Sequence, residues 1–181
     1  MISDARYQRD LALGLAYEEW VYDVALATTG VDLGPCVGLV EQLTIGENRA
    51  GVEIKLDRKF RETGRYFIET EERPTAKDRW RPSGIYRKDN CKWFLIGDRD
   101  GFVVIPVGAL RVEAQTPDGP AWSALPRGHR RVAIPTAKGF LLERGPARRI
   151  AVAEYDRGKW RRLKGSPFKA QGNLFGGDVF K

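Results

Sequence analysis

The chain has 181 residues, 42% hydrophobic and 30% charged, with one histidine and two cysteines. That is enough to bury a core without disulfide or metal staples, and no apolar run reaches membrane-spanning length. A single His129 excludes imidazole-rich metal sites and disfavours a Ser-His-Asp triad, while Cys36 and Cys91 have no metal-ligand spacing. The net charge of +7 is uneven: residues 121–181 hold 14 of the 31 Lys and Arg but only 4 of the 24 Asp and Glu. An acidic-leaning first part joined to a basic second part fits a protein that handles nucleic acid. The N-terminus lacks the layout of a secretion signal, so a reducing cytoplasm is the expected compartment, with no membrane partner.

In chain order, Ser3 or Asp4 caps a helix running to about Ala27, stopped by Thr28-Thr29-Gly30. A helical wheel places Leu11, Leu15, Val21, Tyr22 and Ala25 on one face, with Glu18 in the middle of that stripe. A carboxylate there is charge-paired, metal-bound or protonated, or else the helix is rotated and Glu18 sits at a wet margin. Cys36–Thr44 reads as a strand. Val52–Asp57 is a second, with Val52, Ile54 and Leu56 on one face and Glu53, Lys55 and Asp57 on the other. Tyr66–Glu71 follows after a basic link carrying Arg58, Lys59, Arg61 and Arg65. Pro82-Ser83-Gly84 opens a short helix or turn in which Ser83 is expected to cap rather than react. Lys92–Gly97 and Gly101–Val107 form a hairpin about Asp98-Arg99-Asp100-Gly101.

Pro117-Asp118-Gly119-Pro120 marks an expected boundary between a core over residues 1–116 and a small basic β appendage over 117–181. The appendage includes the apolar runs Val132–Ile134, Phe140–Leu142 and Ile150–Glu154, with Lys159-Trp160-Arg161-Arg162 exposed near its end. The expected fold class is therefore α/β: helix, mixed central sheet and short helix, with that appendage.

Phosphodiester hydrolysis needs a hard cation on oxygen ligands, and a lysine can orient the attacking water and offset transition-state charge. Glu53 and Lys55, two apart on one strand, project from the same face with Cβ atoms roughly 6–7 Å apart, which leaves room for a cation and a water. Glu41, on the preceding strand, can supply a second carboxylate.

Glu53-x-Lys55 in an apolar strand, an upstream acid and a glutamate-bearing first helix resemble the PD-(D/E)XK nuclease superfamily. Asp57, Thr63-Gly64, Ile68-Glu69 and Pro82-Ser83-Gly84-Ile85 resemble its phage-type and mobile-element-type members. The resemblance covers about residues 15–110. It implies a restriction-endonuclease-like fold and Mg²⁺- or Mn²⁺-dependent cleavage of DNA. Glu53, Glu41 and Glu18 would hold metal, and Lys55 would orient the water. No Pro-Asp pair precedes the strand, and Asp32 or Glu47 could stand in for Glu41. In a second registration Glu53 takes the upstream position and Asp57 and Glu69 join the site. The first is preferred because it needs no migrated lysine.

Nucleic-acid contacts are expected from Arg58, Lys59, Arg61 and Arg65, from Trp80 by stacking, and from Arg130, Arg131, Lys159, Trp160, Arg161 and Arg162. His129 is a further phosphate contact without a catalytic role, and the cysteines are buried structural thiols. A homodimer would supply two sites for two strands. Other readings are a non-catalytic DNA-binding or assembly protein of the same fold, and a nuclease that acts on RNA.

Overall fold

The structure, a computed structural model, describes residues 4–30, 32–35, 48–114 and 129–163. The strand expected over Cys36–Thr44, with Glu41 and Cys36, lies outside the described residues, as do Glu47, the boundary at Pro117–Pro120 and the tail after 163.

Helix α1 (Asp4–Thr29) ends where expected: Gly30 takes φ +71° and its N–H donates to the Leu26 carbonyl. Its buried face is Tyr17, Val21 and Ala25, spaced by four, which corrects the expected stripe, since Leu11 and Leu15 are 45% and 52% exposed. A 26-residue helix spans roughly 39 Å, whereas the five-residue strand beneath it covers roughly 17 Å. Only the C-terminal half of α1 rests on the sheet.

That strand, β1 (Val52–Leu56), is started by Asn48, whose buried amide accepts the Val52 N–H at 3.0 Å and donates to the Val52 carbonyl. After a one-turn helix α2 (Phe60–Thr63) come β2 (Arg65–Glu72), β3 (Arg81–Pro82), a 3-10 turn at Gly84–Tyr86, β4 (Trp93–Asp98), β5 (Gly101–Pro106) and α3 (Val107–Ala114). The chain continues with β6 (Arg130–Ala133), β7 (Ala137–Glu143), α4 (Arg144–Ile150), β8 (Ala153–Asp156) and β9 (Lys159–Arg162).

The strands form two sheets. The first is mixed, in the order β1-β4-β5-β8-β9, with β1 parallel to β4 and the rest antiparallel. The second is antiparallel, in the order β3-β2-β7-β6. One face of the mixed sheet packs Val52, Ile54, Leu95, Phe102, Val104 and Tyr155 against α1. The other packs Phe94, Ile96, Val103 and Ile105 against Tyr66, Ile68, Phe140 and Leu142 of the second sheet. Central strands covered on both sides need apolar side chains at every position, hence the unbroken runs Trp93–Ile96 and Phe102–Ile105.

The chain is thus a mixed α/β protein. The C-terminal strands are integral to both sheets, which corrects the expected appendage: β7 pairs with β2 and β8 with β5. Runs as short as Phe140–Leu142 cannot bury themselves, so they complete sheets that the earlier strands leave open. Ile150 ends α4 instead of starting a strand. No described helix is long and apolar enough to cross a membrane.

Candidate active site

Glu53 stands opposite Phe94 in the parallel β1–β4 register, so its side chain points into the space between the sheets. It is 1% exposed, and its Oε1 lies 2.9 Å from Nζ of Lys55, itself 36% exposed. The two share a face, as strand alternation requires. Lys55 lines an open cleft of about 410 Å³ between β1 and α1, together with Ile54, Arg58, Asp10, Leu15 and Glu18. Arg58 and Asp10 approach to 3.5 Å across it. Glu18 is half-buried at this margin, so of the alternatives left open by the helical wheel the rotated helix with Glu18 at a wet margin holds.

The other carboxylates are elsewhere. Asp57 is one residue past β1. Its Oδ1 accepts the Lys59 N–H at 3.0 Å and its Oδ2 the Phe67 N–H at 2.9 Å, which ties β1 to α2 and β2. Glu69 alternates with the inward-facing Tyr66 and Ile68 and so leaves the opposite face of β2, where Ser83 Oγ donates to it at 2.6 Å. Ser83 makes no side-chain cap. Gly84, at φ +52°, is required here, because a Cβ would fall 2.3 Å from the Glu69 carbonyl oxygen. Among the described residues no three of His, Cys, Asp and Glu gather as a ligand group. The set of Glu53, Asp57 and Glu69 from the second registration therefore does not converge, whereas Glu41 of the first lies outside the described residues. Asp32 is exposed, and its Oδ1 accepts the Gly34 N–H.

Of the expected nucleic-acid contacts, Arg58 reaches the cleft and Lys59 is exposed before α2. Arg61 is bound to Asp98 and Asp100, and Arg65 approaches Glu143 at 3.7 Å. Burial works to raise the Asp98 carboxyl, but hydrogen bonds from Arg61 and from the Asp100 and Gly101 N–H groups outweigh it and hold its pKa below the ordinary value. The Trp80 ring is covered by Arg73 and Lys138, at 4.2 and 4.1 Å from its centroid, so it fastens a loop rather than presenting a free stacking face. Trp160 is also packed: its Nε1–H donates to Thr28 Oγ1 at 2.7 Å, and its ring sits edge-on to Phe102 and Tyr155. The His129 side chain is covered, 5% exposed, with Nε2 2.8 Å from Glu113, so it presents no open phosphate contact. Arg130, Lys159, Arg161 and Arg162 are exposed, Arg131 half so, and Cys91 is buried as expected.

Two features escape a reading of the sequence. Tyr17 buries its hydroxyl against the core, and burial first, then the Asp98 carboxylate, raises its pKa. Glu154 on β8 is buried under Arg144 and Arg148. The i, i+4 spacing of those arginines and an acid inside an apolar run were the available signals. No family model, curated protein or solved structure matches this chain.

Proposed function

We propose that the chain is a divalent-metal-dependent endonuclease that hydrolyses DNA phosphodiester bonds, built on a restriction-endonuclease-like core and working as a homodimer. The observation that carries this reading is the buried Glu53 carboxylate held against Lys55, which itself lines a cleft to which α1 brings Glu18.

The donor chemistry fits a hard cation. Mg²⁺ keeps several waters and takes one or two carboxylates. Among the described strands β1 lies at the sheet edge, so a cation there would draw on Glu53 from the face between the sheets and on Glu18 from the α1 side, to which the family resemblance adds Glu41. A bound Mg²⁺ or Mn²⁺ supplies polarisation of the phosphate and a lowered pKa for a coordinated water. The side chains do the rest. Lys55 Nζ, fixed by Glu53, donates to the attacking water and offsets charge on the phosphoryl oxygens. Arg58 holds a phosphate at the cleft mouth.

The test is a cleavage assay on duplex, branched and single-stranded DNA and on duplex RNA, with Mn²⁺ and with chelator. Glu53→Gln, which removes the charge and keeps the shape, is expected to slow cutting by at least about 100-fold. Lys55→Ala is expected to abolish cutting while DNA binding in chelator stays nearly intact. Cutting by the Lys55→Ala protein at the wild-type rate overturns the assignment. Binding without cutting by the wild type leaves the non-catalytic reading, and preferential cutting of RNA the RNA-directed one.

A further inference from the structure

We propose that α4 and β9 form a surface that grips the phosphodiester backbone of duplex DNA, with the buried Glu154 positioning Arg144 and Arg148 for it. The inference rests on the nucleic-acid part of the proposed function and adds a contact region distinct from the cleft.

Glu154 is 3% exposed in the middle of β8. A carboxylate there is costly, and an apolar side chain of similar volume would serve the core as well or better. What the carboxylate does is hold two guanidinium groups: Arg144 lies 3.4 Å from its Oε1 and Arg148 3.0 Å from its Oε2, the latter off the hydrogen-bonding direction. Both arginines come from one turn of α4, four residues apart, and are about half exposed. An arginine has five N–H donors in a planar fork, so contact with Glu154 engages only some of them.

The strand register extends the patch. Glu154 faces Arg161 across β8–β9, and Asp156 faces Lys159, so all four lie on the α4 side of the sheet. Arg161 reaches Asp156 only at 3.9 Å, and Arg149 is exposed on the same helix. Arg144, Arg148, Lys159 and Arg161 thus lie beside Glu154 and Asp156, while Glu143 at the start of α4 is approached by Arg65 at 3.7 Å. A merely solvated basic face does not need a buried anchor, whereas a backbone grip does, because guanidinium forks fixed in advance lose less entropy on meeting phosphate.

The patch is also independent of the cleft. Lys55, Ile96, Val103, Glu154 and Arg161 form one cross-strand row. Its two ends are therefore four strand spacings apart, roughly 19 Å. Substitutions at one end should leave the other undisturbed.

The experiment is fluorescence anisotropy of a labelled mixed-sequence duplex DNA against the full chain, in chelator, over a range of salt concentrations. Arg148→Gln should weaken binding roughly fivefold to tenfold and lower the slope of log affinity against log salt by about 0.9. Lys88→Ala, which removes an exposed cation elsewhere, is the control for generic charge loss. Glu154→Gln sets the two explanations against each other. It makes the protein more positive, so bulk attraction predicts tighter binding, whereas loss of positioning predicts weaker binding with thermal unfolding still cooperative. Weaker binding by both variants supports the proposal. Tighter or unchanged binding by Glu154→Gln, or an Arg148→Gln loss no larger than that of Lys88→Ala, overturns it and leaves the nuclease reading standing. A wild-type chain that binds no DNA overturns both.

Discussion

Two buried glutamates lie on the same face of the same sheet, Glu53 on β1 and Glu154 on β8, and the chain balances them in different ways. Glu53 is met by an ammonium two residues along its own strand, beside an open cleft. Glu154 is met by two guanidinium groups carried on a separate helix. A flexible lysine on the same strand can shift without moving any other element, so the carboxylate it guards can take a new partner. Two arginine forks from α4 share one carboxylate, so releasing Glu154 needs both to let go, and Glu154 is part of what joins α4 to the sheet. The first arrangement suits a group that reacts, and the second a group that positions.

The sharpest way to break this comparison is to remove the cations and measure stability by urea denaturation. Lys55→Ala strips Glu53 of the ammonium against it. The expected cost is about 2–3 kcal/mol, short of the ~3–5 kcal/mol for a fully buried pair because Lys55 is one-third exposed. Lys55→Arg keeps a cation in reach and should cost less than about 1 kcal/mol. Next in size, Arg148→Ala should cost only about 1 kcal/mol, because Arg144 stays on the same carboxylate. If Arg148→Ala proves the more damaging, then Glu154, and not Glu53, has the more precarious charge balance, and the contrast drawn between them is reversed.

How far the sequence reveals these arrangements depends on the range of the interactions. The alternation of Val52–Leu56 and the turn at Asp98–Gly101 are local, and both strands form with that turn between β4 and β5. Glu53 and Lys55 meet because two residues of one strand must. The phase of α1 depends instead on how much sheet lies under it, which a helical wheel cannot know; this is why Leu11 and Leu15 are exposed and Tyr17 is buried. The pairing of Tyr66 with Leu142 and of Val103 with Glu154 joins segments far apart in the chain, with no local signature. Trp160 reads as exposed among its basic neighbours, yet alternation on β9 turns it inward to Phe102 and Thr28 while Lys159 and Arg161 face away. Of the candidate site, the Glu-x-Lys pair was legible, and the residues that hold Glu154 were not.

A third carboxylate supplies the smallest test. Asp98, at the end of β4, is bound by Arg61, which is more than half exposed, so solvent screens that pair far more than either buried one. Its carboxyl is nonetheless held below its ordinary pKa, burial being outweighed by Arg61 and by two backbone N–H groups. A carboxylate whose pKa is lower in the folded than in the unfolded chain stabilises the fold at pH values above its unfolded value of about 3.9, and that contribution is lost as the pH falls through the folded value. Asp98→Asn should therefore melt slightly below wild type at neutral pH, with the gap closing as the pH drops below about 3.9. The backbone hydrogen bonds to Asp100 and Gly101 close the β4–β5 turn. Added salt should remove the Arg61 share of the gap and spare theirs. A gap that widens toward acid would mean that Asp98 is held neutral in the folded chain, and the assignment of Arg61 and the two N–H groups as its stabilising partners would fall.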